Sequence, residues 1–279
     1  MPIHRERYRR REGGLDVRGR AWVVIARQGL KALSGRRAFI YLMLFAWIPC
    51  VVRAVQIYAA ANFPQAAFLA VTAGTFHDFL GQQDLFVFFI TVYAGSGLIA
   101  DDIRANALQL YLSRPVTRAQ YVGGKLAVLM ASLTMVTWVP AMVLLLLQPL
   151  FAGNATFVRG NLFLIPAVTV FSLIEIVVAS FMILGLSSLS KSRWFVAVMY
   201  AGVVFLTQAI FGATRIATGG TSFSWIAVFG NVFQMSDVIF RLPPRYSTPP
   251  VVSAAVLVAV IAASAAVLHR RIRAIEVVI

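Results

Sequence analysis

The chain has 279 residues, 60% of them hydrophobic and 13% charged, with a net charge of +15. That composition excludes an ordinary soluble globule of one or two domains, and the lone cysteine, Cys50, excludes an internal disulfide. The positive charges sit between and outside hydrophobic runs rather than on a foldable basic domain, so a nucleic-acid partner is excluded too, and no Cys/His spacing fits a zinc site.

In chain order, residues 1–37 form a first, basic segment. MPIHRERYRRREGG (1–14) reads as a disordered tail able to touch anionic lipid headgroups. In the stretch that follows, Leu15, Trp22, Ile25, Ala26, Gly29 and Leu33 share one helical face, with Arg20, Arg27 and Lys31 opposite. An amphipathic helix lying along the membrane surface is expected there. No apolar run and small-x-small site of the kind that ends a cleavable signal is expected.

Residues 38–279 read as an all-α integral membrane domain of six transmembrane helices. The expected spans are Ala38–Ala59, Leu85–Ala100, Val122–Leu147, Leu162–Leu189, Trp194–Phe211 and Val251–Leu268. At about 1.5 Å of rise per residue most can cross a hydrocarbon core of about 30 Å, the short second one borrowing residues from Phe79 onward. The connections on one side carry 20 Lys and Arg against 4 on the other, with Arg53 inside the first span. The positive-inside rule then places both termini and the 101–125 connection in the cytoplasm. A seventh span at Pro64–Leu80 would destroy that asymmetry, so an interfacial segment is expected instead.

After the second span, LIADDIRANALQLYLSRPVTRAQYVGGK (98–125) interrupts the hydrophobic pattern. Asp101 and Asp102 are unfavourable at a helix C-terminus but favourable as caps. The chain is therefore expected to break near Ala100 and restart as a short helix, Ile103–Leu112, with Leu108, Tyr111 and Leu112 packed and Arg104 and Gln109 outward. Ser113-Arg114-Pro115 ends it. Thr117-Arg118-Ala119-Gln120 reads as a capping box starting the third span, with Val116 and Tyr121 spaced for a hydrophobic staple.

This stretch resembles the first cytoplasmic loop of ABC-2 type permeases, carried by Asp102, Leu108, Leu110, Leu112, Ser113, Pro115, Val116, Thr117, Arg118, Tyr121, Gly124 and Lys125. The tail Arg271-Ile-Arg-Ala-Ile-Glu276 looks like endings common in that family. The resemblance implies the membrane half of an ATP-binding-cassette exporter in a cell membrane, the bacterial plasma membrane. It implies a second permease copy or related chain as partner, with a separate cytoplasmic ATP-binding subunit that holds ATP and Mg. The coupling loop, 101–121, would carry the ATPase contacts through Asp101, Asp102, Arg104, Leu108, Leu112, Arg114, Pro115 and Arg118. No cofactor is expected in this chain. It has no GxxxxGK[ST] phosphate loop: Gly124-Lys125 is followed by Leu126, and Ala119 stands where the first glycine belongs.

Enzyme chemistry finds little footing. His4, His77 and His269 lie far apart at or beyond span edges. No HExxH, GxSxG or intramembrane carboxylate pair is expected. The intramembrane polar candidates are Glu175, Gln208 and Arg53. Glu175, in the fourth span, either fixes packing between helices or lies on a translocation path or dimer seam. Arg53 stands about 8 Å of rise from its span's edge and is expected to snorkel, with a bridge to Glu175 disfavoured by depth. Gln208 is the expected hydrogen-bond partner of Glu175.

Between the fifth and sixth spans, residues 212–250 are expected to hold one or two short helices dipping into the membrane. RLPPRYSTPP then follows as an extended connector. Three function classes follow: an ABC-2 type permease, an ion- or proton-coupled carrier, and a membrane-anchored enzyme or assembly protein.

Overall fold

A computed structural model describes residues 21–107 and 116–276, with no strand among the described residues. Six helical stretches are long and apolar enough to cross a membrane. They are Arg37–Asn62, Ala73–Arg104, Arg118–Ala152, Leu164–Ser187, Arg193–Thr218 and Pro250–Ile272, matching the expected six in number and order.

Their interruptions follow from local chemistry. An N-terminal helix α1 (Ala21–Ser34) precedes the first span, which is α2 (Arg37–Ala46) and α3 (Ile48–Asn62) with a break at Trp47. Pro49 has no amide hydrogen to continue the α2 ladder, and the Gln83 amide of the second span donates to the Ala46 carbonyl at 3.1 Å. A neighbouring helix thus satisfies backbone that lipid cannot. The second span is α4 (Ala73–Ile90), a π-turn at Thr91–Gly95, and α5 (Gly97–Arg104). The third is α6 (Arg118–Thr134) and α7 (Trp138–Ala152), broken at 135–137 with Pro140 in the first turn of α7. A short α8 (Thr156–Gly160) leads to the unbroken fourth and fifth spans, α9 (Leu164–Ser187) and α10 (Arg193–Thr218). Beyond a 3₁₀ turn at Ser224–Ile226 come α11 (Val228–Ile239) and α12 (Pro250–Glu276), which contains the sixth span.

Two expectations need correction. The second span starts at Ala73, so the segment expected at the interface divides. Pro64–Leu69 is a 3₁₀ stretch, while 73–80 belongs to the span. A capping box starts that helix, with the Thr75 hydroxyl accepting from the Thr72 amide at 3.1 Å. At the other end the helix does not break near Ala100. It runs from Gly97 to Arg104, which leaves Asp101 and Asp102 in its last turn. Their unfavourable position against the helix dipole is offset by cations: Arg104 lies 3.1 Å from Asp101 and Lys125 lies 2.6 Å from Asp102.

The fourth span is the hub. Two thirds (67%) of its most apolar window is buried, against 17% for the first, fifth and sixth spans, which turn most of their surface outward. Close approaches tighten the centre. A Cβ on Gly185 would sit 3.2 Å from the backbone of Ser264 in the sixth span, so the two helices meet backbone to backbone there. Helix α1 packs along α6, with Ala26 and Leu33 buried, while Trp22 stays 45% exposed. The apolar face drawn from the sequence is therefore used partly against protein. A Cβ on Gly124 would lie 2.7 Å from Ile25 and 3.0 Å from the Trp22 carbonyl, so only glycine permits this approach.

Candidate functional site

Midway along the bundle two carboxyl groups face each other. Asp84 of α4 and Glu175 of α9 each stand eleven residues into their helices, about 16 Å by rise, and their side chains interact directly. Glu175 is fully buried. None of the four carboxyl oxygens touches solvent or makes a well-formed hydrogen bond. Beside them the hydroxyls of Tyr200, from the fifth span, and Thr91, in the π-turn, face each other, and both side chains are fully buried. A π-turn inserts one residue into the ladder and re-aims the side chains around it, which is why such turns collect at functional positions.

This arrangement corrects the expectation that the spans hold no carboxylate pair. Asp84 lies just before Leu85, within the stretch from Phe79 onward that the short second span is expected to borrow, and the sequence reading does not pair it with Glu175. A signal was present: His77, Asp84 and Thr91 are spaced by seven, one face of a helix. Reading the span from Ala73 exposes it.

The partner expected for Glu175 is wrong as well. Gln208 is exposed on the outside of the bundle. The buried stripe of the fifth span runs through Val196, Tyr200 and Phe211. Gln208 lies eight residues after Tyr200, about 80° round the helix and away from the seam. Arg53 makes no bridge to Glu175. Its Nη1 donates to Gln56 Oε1 at 2.7 Å and its Nε to Gln82 Oε1 at 3.4 Å, so neighbouring amides partner the guanidinium.

Toward the end of the bundle where the second span begins, α11 forms a cap. Its polar residues turn inward: Asn231, Gln234 and Asp237 are buried, while Trp225 just before it is half-exposed. They do so because the connector brings backbone groups to them. Gln234 Nε2 donates to the Thr248 carbonyl at 3.1 Å, and Gln234 Oε1 accepts from the Tyr246 amide at 3.2 Å. Asp237 receives Arg245 twice, Nε to Oδ2 and Nη2 to Oδ1, both at 2.7 Å, a bidentate pair. His77 Nε2 lies 3.0 Å from the same Oδ1, which ties the cap to the first turns of the second span. The carboxylate of Asp237 pushes the Arg245 guanidinium above its already high range. Sequence reading had named neither residue as important.

At the opposite, basic end lie the described members of the expected coupling loop. Asp102 Oδ2 accepts from the Tyr121 hydroxyl at 2.7 Å and meets Lys125 Nζ at 2.6 Å, locking the end of the second span to the start of the third. Asp101 holds Arg104, one turn away and 63% exposed. Arg118 opens α6 behind the expected capping box, which is present: the Thr117 hydroxyl accepts from the Gln120 amide at 3.2 Å, and Gln120 Oε1 from the Thr117 amide at 3.1 Å. Val116 packs on the core and Tyr121 is fully buried. Leu108, Leu112, Arg114 and Pro115 lie outside the described residues.

A cavity of about 220 Å³ at this end is lined by Arg36, Asp101, Asp102, Lys125 and Arg193 among others. Above it the π-turn is braced by one hydroxyl. Ser187 Oγ accepts from the Ala100 amide at 3.0 Å and the Ile99 amide at 3.2 Å and donates to the Ser96 carbonyl at 2.8 Å.

Compared with known proteins, the sequence matches no protein-family model and no curated protein.

Proposed function

We propose that this chain is the membrane-spanning permease subunit of an ABC-2 type exporter, with its termini and basic end in the cytoplasm. It pairs with a second copy or a related permease. Hydrolysis of ATP, with Mg, belongs to a separate cytoplasmic ATP-binding subunit. In this reading the 101–121 loop is the coupling element.

The observation that supports it is the clamp at that loop's two ends. A lever between two spans transmits force only if both of its anchors are stiff. Asp102, Tyr121 and Lys125 fasten one span's end to the next span's start, and the Thr117–Gln120 box fixes where the third span begins. The 20-to-4 distribution of basic residues supports the orientation.

The test is co-purification of the full chain with a cytoplasmic ATPase, followed by measurement of ATP hydrolysis. Wild-type chain should stimulate it. Leu108→Trp and Arg114→Glu should lower transport per ATP hydrolysed while the spans remain folded. Unchanged coupling in both variants refutes the assignment.

A second reading, a proton- or ion-coupled carrier, is favoured by one specific feature. Two carboxyls at mid-height, beside interrupted helices in the first three spans, are the furniture of such carriers. Transport that persists in purified vesicles without any ATPase, driven by an ion gradient, decides for it.

A further inference from the structure

The seam between the second and fourth spans contains a chemical deficit. Four carboxyl oxygens, all acceptors when ionised, are buried with no well-formed hydrogen bond. The nearby Tyr200 hydroxyl, on a fully buried side chain, also lacks a well-formed partner. Among the described residues no cation pairs with Asp84 or Glu175. Nor does a third His, Cys, Asp or Glu join them to make a metal cage there.

The first, second and third spans and the cap send their charges elsewhere. His77 and Arg245 act on Asp84 from the capped end, but both are held by Asp237. The first span gives Cys50 to the Pro140 carbonyl and Arg53 to Gln56 and Gln82. The third keeps Tyr121 and Lys125 on Asp102. From the fifth span the fully buried Tyr200 lies within electrostatic reach of the pair.

Two bare carboxylates cannot share a dry site, because desolvation and mutual repulsion add. An O–H on one of them supplies the missing donor, and the other carboxyl becomes its acceptor. We propose that Asp84 and Glu175 form a proton-binding site at the middle of the bundle, whose shared proton fastens the second span to the fourth. The proton comes from bulk water and returns to it, and no bond but the carboxyl O–H is made or broken. Loss of it puts like charges face to face, so the seam opens.

The proposal stands apart from the ATPase reading, since it needs no partner and its test uses none. Full-length chain in lipid nanodiscs is examined by infrared difference spectroscopy across a pH series, in H₂O and D₂O. Wild type should show a protonated-carboxyl carbonyl band at a pH where exposed carboxyls are ionised. The band should shift down in D₂O, vanish at higher pH, and accompany release of one proton per chain. The D84N/E175Q double variant, with neutral amides in place of the acids, should lack the band and the released proton. E175Q alone, which mimics the protonated acid, should keep the fold and weaken the band.

Absence of the band from wild type overturns the proposal, and that measurement needs no variant to fold. Equal bands in wild type and double variant overturn it as well. So does loss of the wild-type band on adding sodium at constant pH, which makes the pair a cation site.

Discussion

Replacing Lys125 with methionine isolates what holds the second and third spans together at the basic end. Lys125 and Asp102 are 2.6 Å apart, and their side chains keep only 12% and 19% of their exposure. Removing one partner of a fully buried pair costs about 3–5 kcal/mol, because the other charge is stranded. Residual exposure and the Tyr121 hydroxyl, which still donates to Asp102 at 2.7 Å, put Lys125→Met near the lower end, about 3 kcal/mol. Methionine keeps most of the volume, so lost packing adds little. Asp102→Asn in the Lys125→Met background should then cost far less than either single change, since no charge is left to strand. A double-mutant cycle read by reversible unfolding in mixed micelles, with both variants kept in the same lipid, gives the coupling directly. The expected value is about 2–3 kcal/mol, at the upper end for groups in contact. A coupling below about 0.5 kcal/mol, the level of independent sites, refutes the clamp and removes the main support for a stiff lever.

Three further outcomes follow from other contacts. Ser187→Ala strands two amides and a carbonyl around the π-turn and should destabilise by about 1–3 kcal/mol. Ser172→Ala, whose hydroxyl is buried without a well-formed partner, should be close to neutral in the same unfolding assay, and equal effects contradict the bracing role. Arg245→Met should loosen the α11 cap, seen as faster hydrogen exchange across 228–239. A group with a raised folded pKa contributes stability that is fully present below its unfolded pKa and is lost as pH rises through the folded one. For Arg245 this lies beyond ordinary alkaline conditions, so the penalty should be the same at neutral and mildly alkaline pH. Gly124→Val should lever α1 off α6, at about 1–3 kcal/mol for overpacking, and raise protease sensitivity near Trp22. Unchanged cleavage there contradicts the close approach.

Much of the architecture was legible because lipid-crossing helices impose a simple rule on sequence: long apolar runs separated by charge. The number and order of the spans, the helix before them and the Thr117–Gln120 cap all rest on signals within a few residues of one another. Edges were less legible. The second span begins at Ala73 rather than near Phe79, because His77 hides its first turns until its partner Asp237 is known. The same holds for α11, whose polar Asn231, Gln234 and Asp237 belong to its packed face. At Asp101 and Asp102 a local rule about helix ends lost to a contact nineteen residues away in sequence, the Tyr121 hydroxyl, reinforced by Lys125.

What the sequence alone determined is the number of membrane-length spans, their order and the end of the bundle at which positive charge gathers. Hydropathy and capping act over a few turns and need no knowledge of neighbours. Which polar residues meet belonged to the tertiary structure. Asp84 and Glu175 are separated by most of three spans in the chain, and only the packing of the second helix against the fourth decides that two acids share one dry seam.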